Sequence, residues 1–192
     1  MRLIVNRWLN LLKILENIIR DDSMILSGID EKQLEVFADK IVNAKRIFVC
    51  GAGRSLLMIK AIAMRLMHIG MQVYVVGDIN TPAIKNDDLL VVASGSGETS
   101  VLMCFVNKAK KLNVPVAHIT TNELSTIAKL SDIVLKIPAS VNHLGCNGNS
   151  WQPAGNSFEQ CLLLVGDALI LIIADKLDVD ISGRLSFHAN LE

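Results

Sequence analysis

The chain has 192 residues, of which 51% are hydrophobic and 20% are charged, so one domain with a large apolar core is expected. The 19 basic and 19 acidic residues cancel, which argues against a nucleic-acid partner, because a nucleic-acid surface needs an excess of positive charge. The four cysteines form no CxxC pair, so no metal or redox motif is predicted, and Cys50 and Cys104 are expected in the core.

The first twenty residues have the spacing of an amphipathic helix. Residues 3–20 place an apolar stripe on one helical face, formed by Leu3, Trp8, Leu11, Leu12, Leu15, Ile18 and Ile19. Charges interrupt this stripe and no small-residue cleavage site follows, so it does not read as a signal peptide. The late apolar stretch 162–174 contains Asp167 and is too short to cross a bilayer. These features predict a soluble, cytoplasmic protein with no membrane partner.

The remaining chain alternates between two periodicities. A second helix is predicted after Asp30, an N-cap that is followed by Gln33 at the capping-box position. Short β-branched runs, apolar on both faces, then predict buried parallel strands at 47–50, 72–76, 89–93, 114–120 and 133–137. Helical patterns lie between most of them, at about 55–69, 99–112 and 124–130, and a last long one covers about 157–177.

This alternation predicts an α/β fold with a doubly wound, five-stranded parallel sheet. No linker divides the chain, so a single domain is expected, with N-terminal helices in 1–45, an α/β core in 46–177 and a C-terminal tail in 178–192. The connection at 77–87 is too short and irregular for a full helix. In a flavodoxin-like strand order, ligands bind where the first and third strands end.

Two glycine-rich loops follow those two strands, GAGRS at 51–55 and SGSGET at 94–99. Glycines allow backbone N–H groups to approach an anion, and the helix that follows each loop adds the positive end of its dipole. Candidate binding residues are Arg54, Ser55, Ser94, Gly95, Ser96, Gly97, Glu98 and Thr99. The alternative is that such residues only form turns and helix caps. Two such loops at one predicted switch point favour a phosphate site.

Nucleotide sites fit these loops less well than a small phosphorylated metabolite does. Neither loop has the Lys of a P-loop, and GAGRSL places Leu56 where a dinucleotide fingerprint has its last glycine. Asp78 could still serve as the ribose-binding acid of that fingerprint. No cofactor is therefore predicted.

Candidates for chemistry are one carboxylate and several histidines. Glu159 lies in the first turn of the last helix, where Asn156 and Glu159 have capping-box spacing, so the sequence leaves a cap and a catalytic base equally open. Glu98 is expected to turn away from a bound phosphate and to brace its loop. Among the histidines, His118 is expected in the core, and the role of His143 is left open.

Five more segments accompany the two loops: AMRLMHIG (63–70), VYVVGD (73–78), TPAI (81–84), QPAGNSFEQ (152–160) and HANLE (188–192). Together with GAGRS and DDLLVVASGSGET, they resemble the 6-phospho-3-hexuloisomerase family of the sugar isomerase (SIS) domain superfamily. The resemblance runs from about residue 30 to the C-terminus. The loop at 94–99, called the serine-glycine loop below, is by itself typical of the whole superfamily. The complete set of segments is much more specific for the 6-phospho-3-hexuloisomerase family.

The resemblance implies a flavodoxin-like sandwich, assembled as a homotetramer, that interconverts 3-hexulose 6-phosphate and fructose 6-phosphate. This reaction belongs to the ribulose monophosphate route of formaldehyde handling and needs no metal or nucleotide. Ser55 and the 94–99 loop would bind the sugar phosphate, and Glu159 would accept the proton. Arg54, His68 and His188 are candidates to stabilise the enediolate oxygens, and His188 could act in a neighbouring subunit.

Some residues depart from the family pattern, namely Leu56, Ala154, Asn156 and Phe187. These departures keep two alternatives open. One is an isomerase of another sugar phosphate, and the other is a non-catalytic SIS module that senses a sugar phosphate.

Overall fold

Five parallel strands form one sheet at the centre of the computed structural model, which describes residues 2–140, 152–153 and 155–180. The strands are β1 (Ile47–Gly51), β2 (Val73–Val75), β3 (Leu89–Ala93), β4 (Val116–Thr120) and β5 (Ile133–Lys136). The helices are α1 (Arg2–Leu26), α2 (Glu31–Val42), α3 (Gly53–His68), α4 (Ser100–Lys111), α5 (Thr126–Leu130) and α6 (Asn156–Lys176). The predicted alternation of strands and helices is confirmed.

The strand order is β2-β1-β3-β4-β5, which is the flavodoxin-like order expected from the sequence. β1 and β3 are neighbours in register, with Cys50 opposite Val92 and Gly51 opposite Ala93. Their carboxyl ends therefore lie side by side. This register brings the loops at 51–55 and 94–99 to the same edge of the sheet.

Buried apolar residues pack on both faces of the sheet. Val49, Val91 and Ile119 face the layer of α2, α3 and α6. Cys50 and Val92 face the layer of α4 and α5. Alternate residues of each strand thus enter opposite cores, which explains why the strands are apolar throughout.

The two cysteines expected in the core have different environments. Cys50 is buried in β1, and desolvation raises the pKa of its thiol to about 12. Cys104 is exposed, so the prediction for it was wrong. The buried stripe of α4 runs through Leu102, Val106 and Ala109, and position 104 lies on the opposite side of the helix.

The start of α2 is capped as predicted, but the capping box is incomplete. The Asp30 carboxylate accepts hydrogen bonds from the backbone N–H groups of Lys32 and Gln33. The Gln33 side chain does not return to Asp30. It accepts from the Lys136 backbone N–H at 3.1 Å and donates to Glu123 at 3.0 Å. The hydrogen bond from the Lys136 backbone on β5 therefore takes the place of the capping-box bond that the sequence spacing predicted.

The last helix, α6, is the central helix of its layer. It runs for 21 residues, longer than the apolar stretch 162–174, and by length and composition alone it could cross a membrane. More than half of it is buried inside the protein, where it packs against α3, α2 and α1. A side chain at Gly166 would collide with Ile62, so this glycine allows α6 to approach α3 closely.

Helix α1 is longer than predicted and extends to Leu26. Within the described part of the chain, its apolar stripe stays largely exposed, with Leu12, Leu15 and Ile19 at 59%, 56% and 68%. The side chains of Leu3 and Trp8 lie outside the described residues, as do Cys146 and the 181–192 part of the predicted tail.

Candidate active site

A cavity of about 330 Å³ lies at the carboxyl ends of β1 and β3. Five of the residues singled out in the sequence converge on it: Ser55, Ser94, Gly95, Ser96 and Thr99. Glu159 reaches the same cavity from the first turn of α6. The remaining lining residues, which the sequence did not single out, are Ala52, Ala93, Leu102, Gly155 and Phe158.

The serine-glycine loop is shaped by its own hydroxyl groups. Ser94 Oγ accepts a hydrogen bond from the Gly97 N–H at 3.1 Å and lies 3.3 Å from Thr99 Oγ1. Ser96 Oγ accepts from the Glu98 N–H at 3.3 Å. Thr99 is the N-cap of α4 but makes no side-chain cap bond. Hydroxyls and the positive end of the α4 dipole therefore meet at one wall of the cavity, which is the chemistry of an anion site.

Residues at the end of β4 and in the segment that follows it hold this loop by hydrogen bonds. The Gly95 carbonyl accepts from Thr120 Oγ1 at 3.0 Å and from Thr121 Oγ1 at 2.9 Å. The Gly97 carbonyl accepts from the Ile127 N–H of α5 at 3.1 Å. The sheet and α5 therefore hold the loop in its shape without a bound ligand.

Glu98 faces away from the cavity, as expected from the sequence. Its Oε1 accepts a hydrogen bond from the Thr126 N–H at 2.8 Å, at the first residue of α5. This bond is the main reason that the pKa of Glu98 is lowered. Glu98 therefore ties the serine-glycine loop to α5 and leaves the cavity wall free of negative charge at this position.

Gly97 does not line the cavity but bends the loop. Its φ of +66° lies in the left-handed region that favours glycine. An added Cβ would meet the Ser125 side chain, with the Ser125 Cβ at 2.5 Å. Both the backbone conformation and the space below the loop therefore require glycine here.

Glu159 is held by Arg54 rather than by a helix cap. Arg54 Nη1 donates to Glu159 Oε2 at 3.0 Å and to Asn156 Oδ1 at 2.5 Å. The N-cap of α6 is Gly155, with φ of +83° and no side-chain cap bond, so the capping-box interpretation of Asn156 and Glu159 was wrong. The Glu159 side chain is 16% exposed and the Arg54 side chain 43% exposed. A partly buried carboxylate beside a cation thus faces the cavity.

His68, the predicted site histidine that the structure describes, does not line this cavity. His68 is the last residue of α3, whose first residue Gly53 adjoins the cavity, and a rise of 1.5 Å per residue separates the two by about 22 Å. A role for His68 would therefore require the cavity of another subunit. His188, His143, Ala154 and Phe187 lie outside the described residues.

The residues that could have formed a dinucleotide-binding site have other roles in the structure. Asp78 makes an exposed ion pair with Lys60 at 3.2 Å and does not line the cavity. Gly51 instead serves packing, because an added Cβ would lie 3.1 Å from the Leu56 backbone. Among the described residues, no cluster of three His, Cys, Asp or Glu side chains could hold a metal ion.

A second cavity of about 370 Å³ lies between α1 and residues 138–140. Its described lining residues include Asp21 and Ser140, and none of them belongs to the serine-glycine loop. Because the serine-glycine loop and the N-terminus of α4 meet at the cavity beside Glu159, that cavity fits the predicted phosphate better.

Comparisons with known proteins identify the family of the chain. The SIS domain family model matches residues 40–165. A Bacillus subtilis protein named 3-hexulose-6-phosphate isomerase is 43% identical over 166 residues, 85% of this chain and 89% of that protein. A Mycobacterium gastri protein of the same name is 42% identical over 177 residues, 92% of this chain and 89% of that protein.

A solved structure from Methanococcus jannaschii superimposes with a TM-score of 0.80 and 31% identity, over 94% of this chain and 99% of that one. It is described as a hypothetical protein whose crystal structure infers a molecular function of 3-hexulose-6-phosphate isomerase.

Proposed function

Because the chain belongs to the SIS domain family, we propose that it is an isomerase that interconverts 3-hexulose 6-phosphate and fructose 6-phosphate. The observation that carries this proposal is the position of Glu159, a carboxylate that faces the same cavity as the serine-glycine loop. A phosphate-binding wall and a base in one cavity are what a sugar-phosphate isomerase requires. The likeness to proteins named 3-hexulose-6-phosphate isomerase supports the choice of sugar.

The phosphate group is assigned to the serine-glycine loop. Ser94, Ser96 and Thr99 offer hydroxyl donors, and the N-terminus of α4 offers backbone N–H groups and a favourable dipole. Ser55 adds a hydroxyl from the first turn of α3. The phosphate is remote from the reacting carbons, so its binding energy can hold C2 and C3 against Glu159.

Glu159 is assigned the proton transfer. In the direction of fructose 6-phosphate, its carboxylate takes the proton from C2 of 3-hexulose 6-phosphate, and a C2–C3 enediolate forms. The same carboxyl group returns the proton to C3, while the hydroxyl proton moves from O2 to O3. One carboxylate can perform both steps if it stays on one face of the sugar.

Arg54 is assigned to the enediolate oxygens. Its guanidinium already lies 3.0 Å from Glu159 Oε2, so it is close to the place where negative charge develops. Asn156 holds the same guanidinium nitrogen from the other side. Arg54 does not line the cavity itself, and its bonds to Asn156 and Glu159 hold it beside the base, from where it could turn towards the substrate oxygens.

Activity of the purified chain tests the proposal directly. We expect conversion of fructose 6-phosphate to 3-hexulose 6-phosphate, and the reverse, with EDTA present and no added nucleotide. NMR of the sugar carbons would follow both ketoses, and glucose 6-phosphate and arabinose 5-phosphate would serve as competing substrates. Conversion of only another sugar phosphate would identify a different isomerase. Binding without any conversion would favour the sensing module instead.

Assembly into a homotetramer is proposed from the surface of α1. Leu12, Leu15 and Ile19 form an exposed apolar stripe, and Leu171 of α6 is also 62% exposed, which is more apolar surface than a monomer of this size usually leaves in water. Light scattering is expected to give about four times the chain mass of 21.0 kDa.

Changing Leu15 and Ile19 to Lys is expected to lower that mass without unfolding the chain, because both side chains are exposed within one subunit. A monomeric wild-type protein at micromolar concentration would contradict the assembly. A cytoplasmic location and a place in formaldehyde handling stay predictions from the sequence.

A further inference from the structure

His118 lies in the middle of β4, directly below the serine-glycine loop. The side chain is 0% exposed. A Cβ added at Gly97 would lie 3.1 Å from His118 Cε1, the ring carbon between the two nitrogens. Because Cε1 is at the far end of the ring, the nitrogen-bearing end of the imidazole points towards the loop. Ser125 Oγ lies on the same side of Gly97.

Neither ring nitrogen of His118 makes a hydrogen bond to any residue that the structure describes. The backbone of Ser94 acts on the ring and favours its protonated form, but burial has the larger effect and lowers the pKa of His118 to about 4. The imidazole is therefore neutral at physiological pH and carries one N–H. A buried N–H donor without a partner destabilises a folded protein, so its presence calls for a physical explanation.

The geometry of the peptide bond suggests where the missing partner comes from. In a planar trans peptide, the N–H and C=O groups point in opposite directions. The Ser94 carbonyl and the Gly95 N–H belong to one such peptide, and Gly95 lines the cavity. Because the Ser94 backbone already acts on the ring as an acceptor, a carbonyl directed at His118 leaves the Gly95 N–H of the same peptide directed away from it.

We propose that His118 is a positioning residue for the phosphate site, whose ring N–H donates to the Ser94 carbonyl when an anion is bound. The bond fixes the peptide in the orientation that presents the Gly95 N–H to the phosphate. In the free protein the Ser94 backbone is near the ring but the contact lacks hydrogen-bond geometry, and anion binding would tighten it into a hydrogen bond. This inference rests on the proposed anion site at the 94–99 loop.

Replacing His118 with Leu separates this role from ordinary packing. Leu has a similar volume and no polar atom, so the unfolding temperature of the free protein is expected to stay the same or to rise. The KM for fructose 6-phosphate is expected to rise roughly tenfold or more, because one hydrogen bond that acts on a charged ligand is lost, while kcat stays within about twofold. Calorimetry with inorganic phosphate is expected to show the same loss of affinity.

Val116→Leu is the matched control, because Val116 is buried two residues away on the same face of β4. It is expected to alter packing below α4 and to leave KM unchanged. His118→Gln retains a neutral N–H donor and is expected to give a KM between those of wild type and His118→Leu. If His118→Leu does not fold, His118→Met takes its place, because Met also lacks an N–H donor and its flexible side chain adapts to irregular core space.

An unchanged KM in His118→Leu, or in His118→Met where only that one folds, would overturn the inference. So would a fall in unfolding temperature with equal losses in kcat and kcat/KM, since that pattern belongs to a core residue. Wild-type protein measured alongside separates the two proposals. Absence of wild-type turnover and phosphate binding would reject the proposed function, whereas normal wild-type behaviour with an unaffected variant would reject only the role of His118.

Discussion

Glu159→Gln is expected to lower the isomerisation rate by about 10²–10⁴-fold, the range typical of a lost general base, while fructose 6-phosphate still binds. The reason is that the base and the phosphate-binding groups are on different elements. The base lies on α6, whereas the groups assigned to the phosphate lie on the 94–99 loop and α3. Gln has the same shape as Glu, and its amide oxygen can still accept the hydrogen bond from Arg54. The fold should therefore survive.

Glu31→Gln is the matched control for this substitution. Glu31 also lies in the first turn of a helix, but it does not line the cavity, and its side chain is exposed. Its variant should keep wild-type kcat and KM. The measurement is kcat, KM and the dissociation constant of fructose 6-phosphate for the three proteins. Wild-type turnover in Glu159→Gln would remove Glu159 from the reaction and leave the isomerase proposal to another residue.

Solvent exchange gives an independent view of the same step. If a carboxyl group carries the proton between C2 and C3, some of it should exchange with D₂O while the enediolate is bound. NMR of fructose 6-phosphate in D₂O should show deuterium entering with wild-type protein and not with Glu159→Gln. A hydride shift between the two carbons would give no exchange with either protein.

The sheet was predictable because its determinants are local. Short runs of β-branched residues, apolar on both faces, are typical of buried parallel strands, and each run here became a strand within a few residues of the expected bounds. The strand order then places β1 beside β3, and the position of the two glycine-rich loops follows from that neighbour relation. The location of the candidate site could thus be derived from the sequence.

The contacts within the site could not be derived in this way. Arg54 binds Asn156 and Glu159, which are 102 and 105 residues away along the chain, and no spacing rule connects them. The sequence interpretation gave Asn156 and Gln33 local capping roles, and tertiary partners replaced those roles in both cases. His118 was rightly assigned to the core, but its unpaired nitrogens below the loop are visible only in three dimensions.

Gly97→Ala is the second substitution for which we expect a large effect, and it should weaken substrate binding and not proton transfer. A residue with a Cβ in the left-handed region costs about 1–2 kcal/mol, and the new methyl group would also overlap Ser125. The loop can relieve the overlap only by moving away from α5. That movement disturbs the Gly97 N–H bond to Ser94 Oγ and the neighbouring N–H groups assigned to the phosphate. We expect KM for fructose 6-phosphate to rise by roughly 10²-fold, which is equivalent to one or two hydrogen bonds to a charged group.

Gly77→Ala separates the two causes of that loss. Gly77 also has a positive φ, +101°, but an added Cβ would meet nothing within 4 Å, and the residue does not line the cavity. Its variant should lose stability through backbone strain alone and keep the wild-type KM. Adding Ser125→Gly to Gly97→Ala removes the overlapping atoms, so the double variant should recover part of the affinity, although the hydroxyl that caps α5 is lost with it. If Gly97→Ala binds fructose 6-phosphate as wild type does, the bend at Gly97 does not shape the phosphate site, and the anion must lie elsewhere in the cavity.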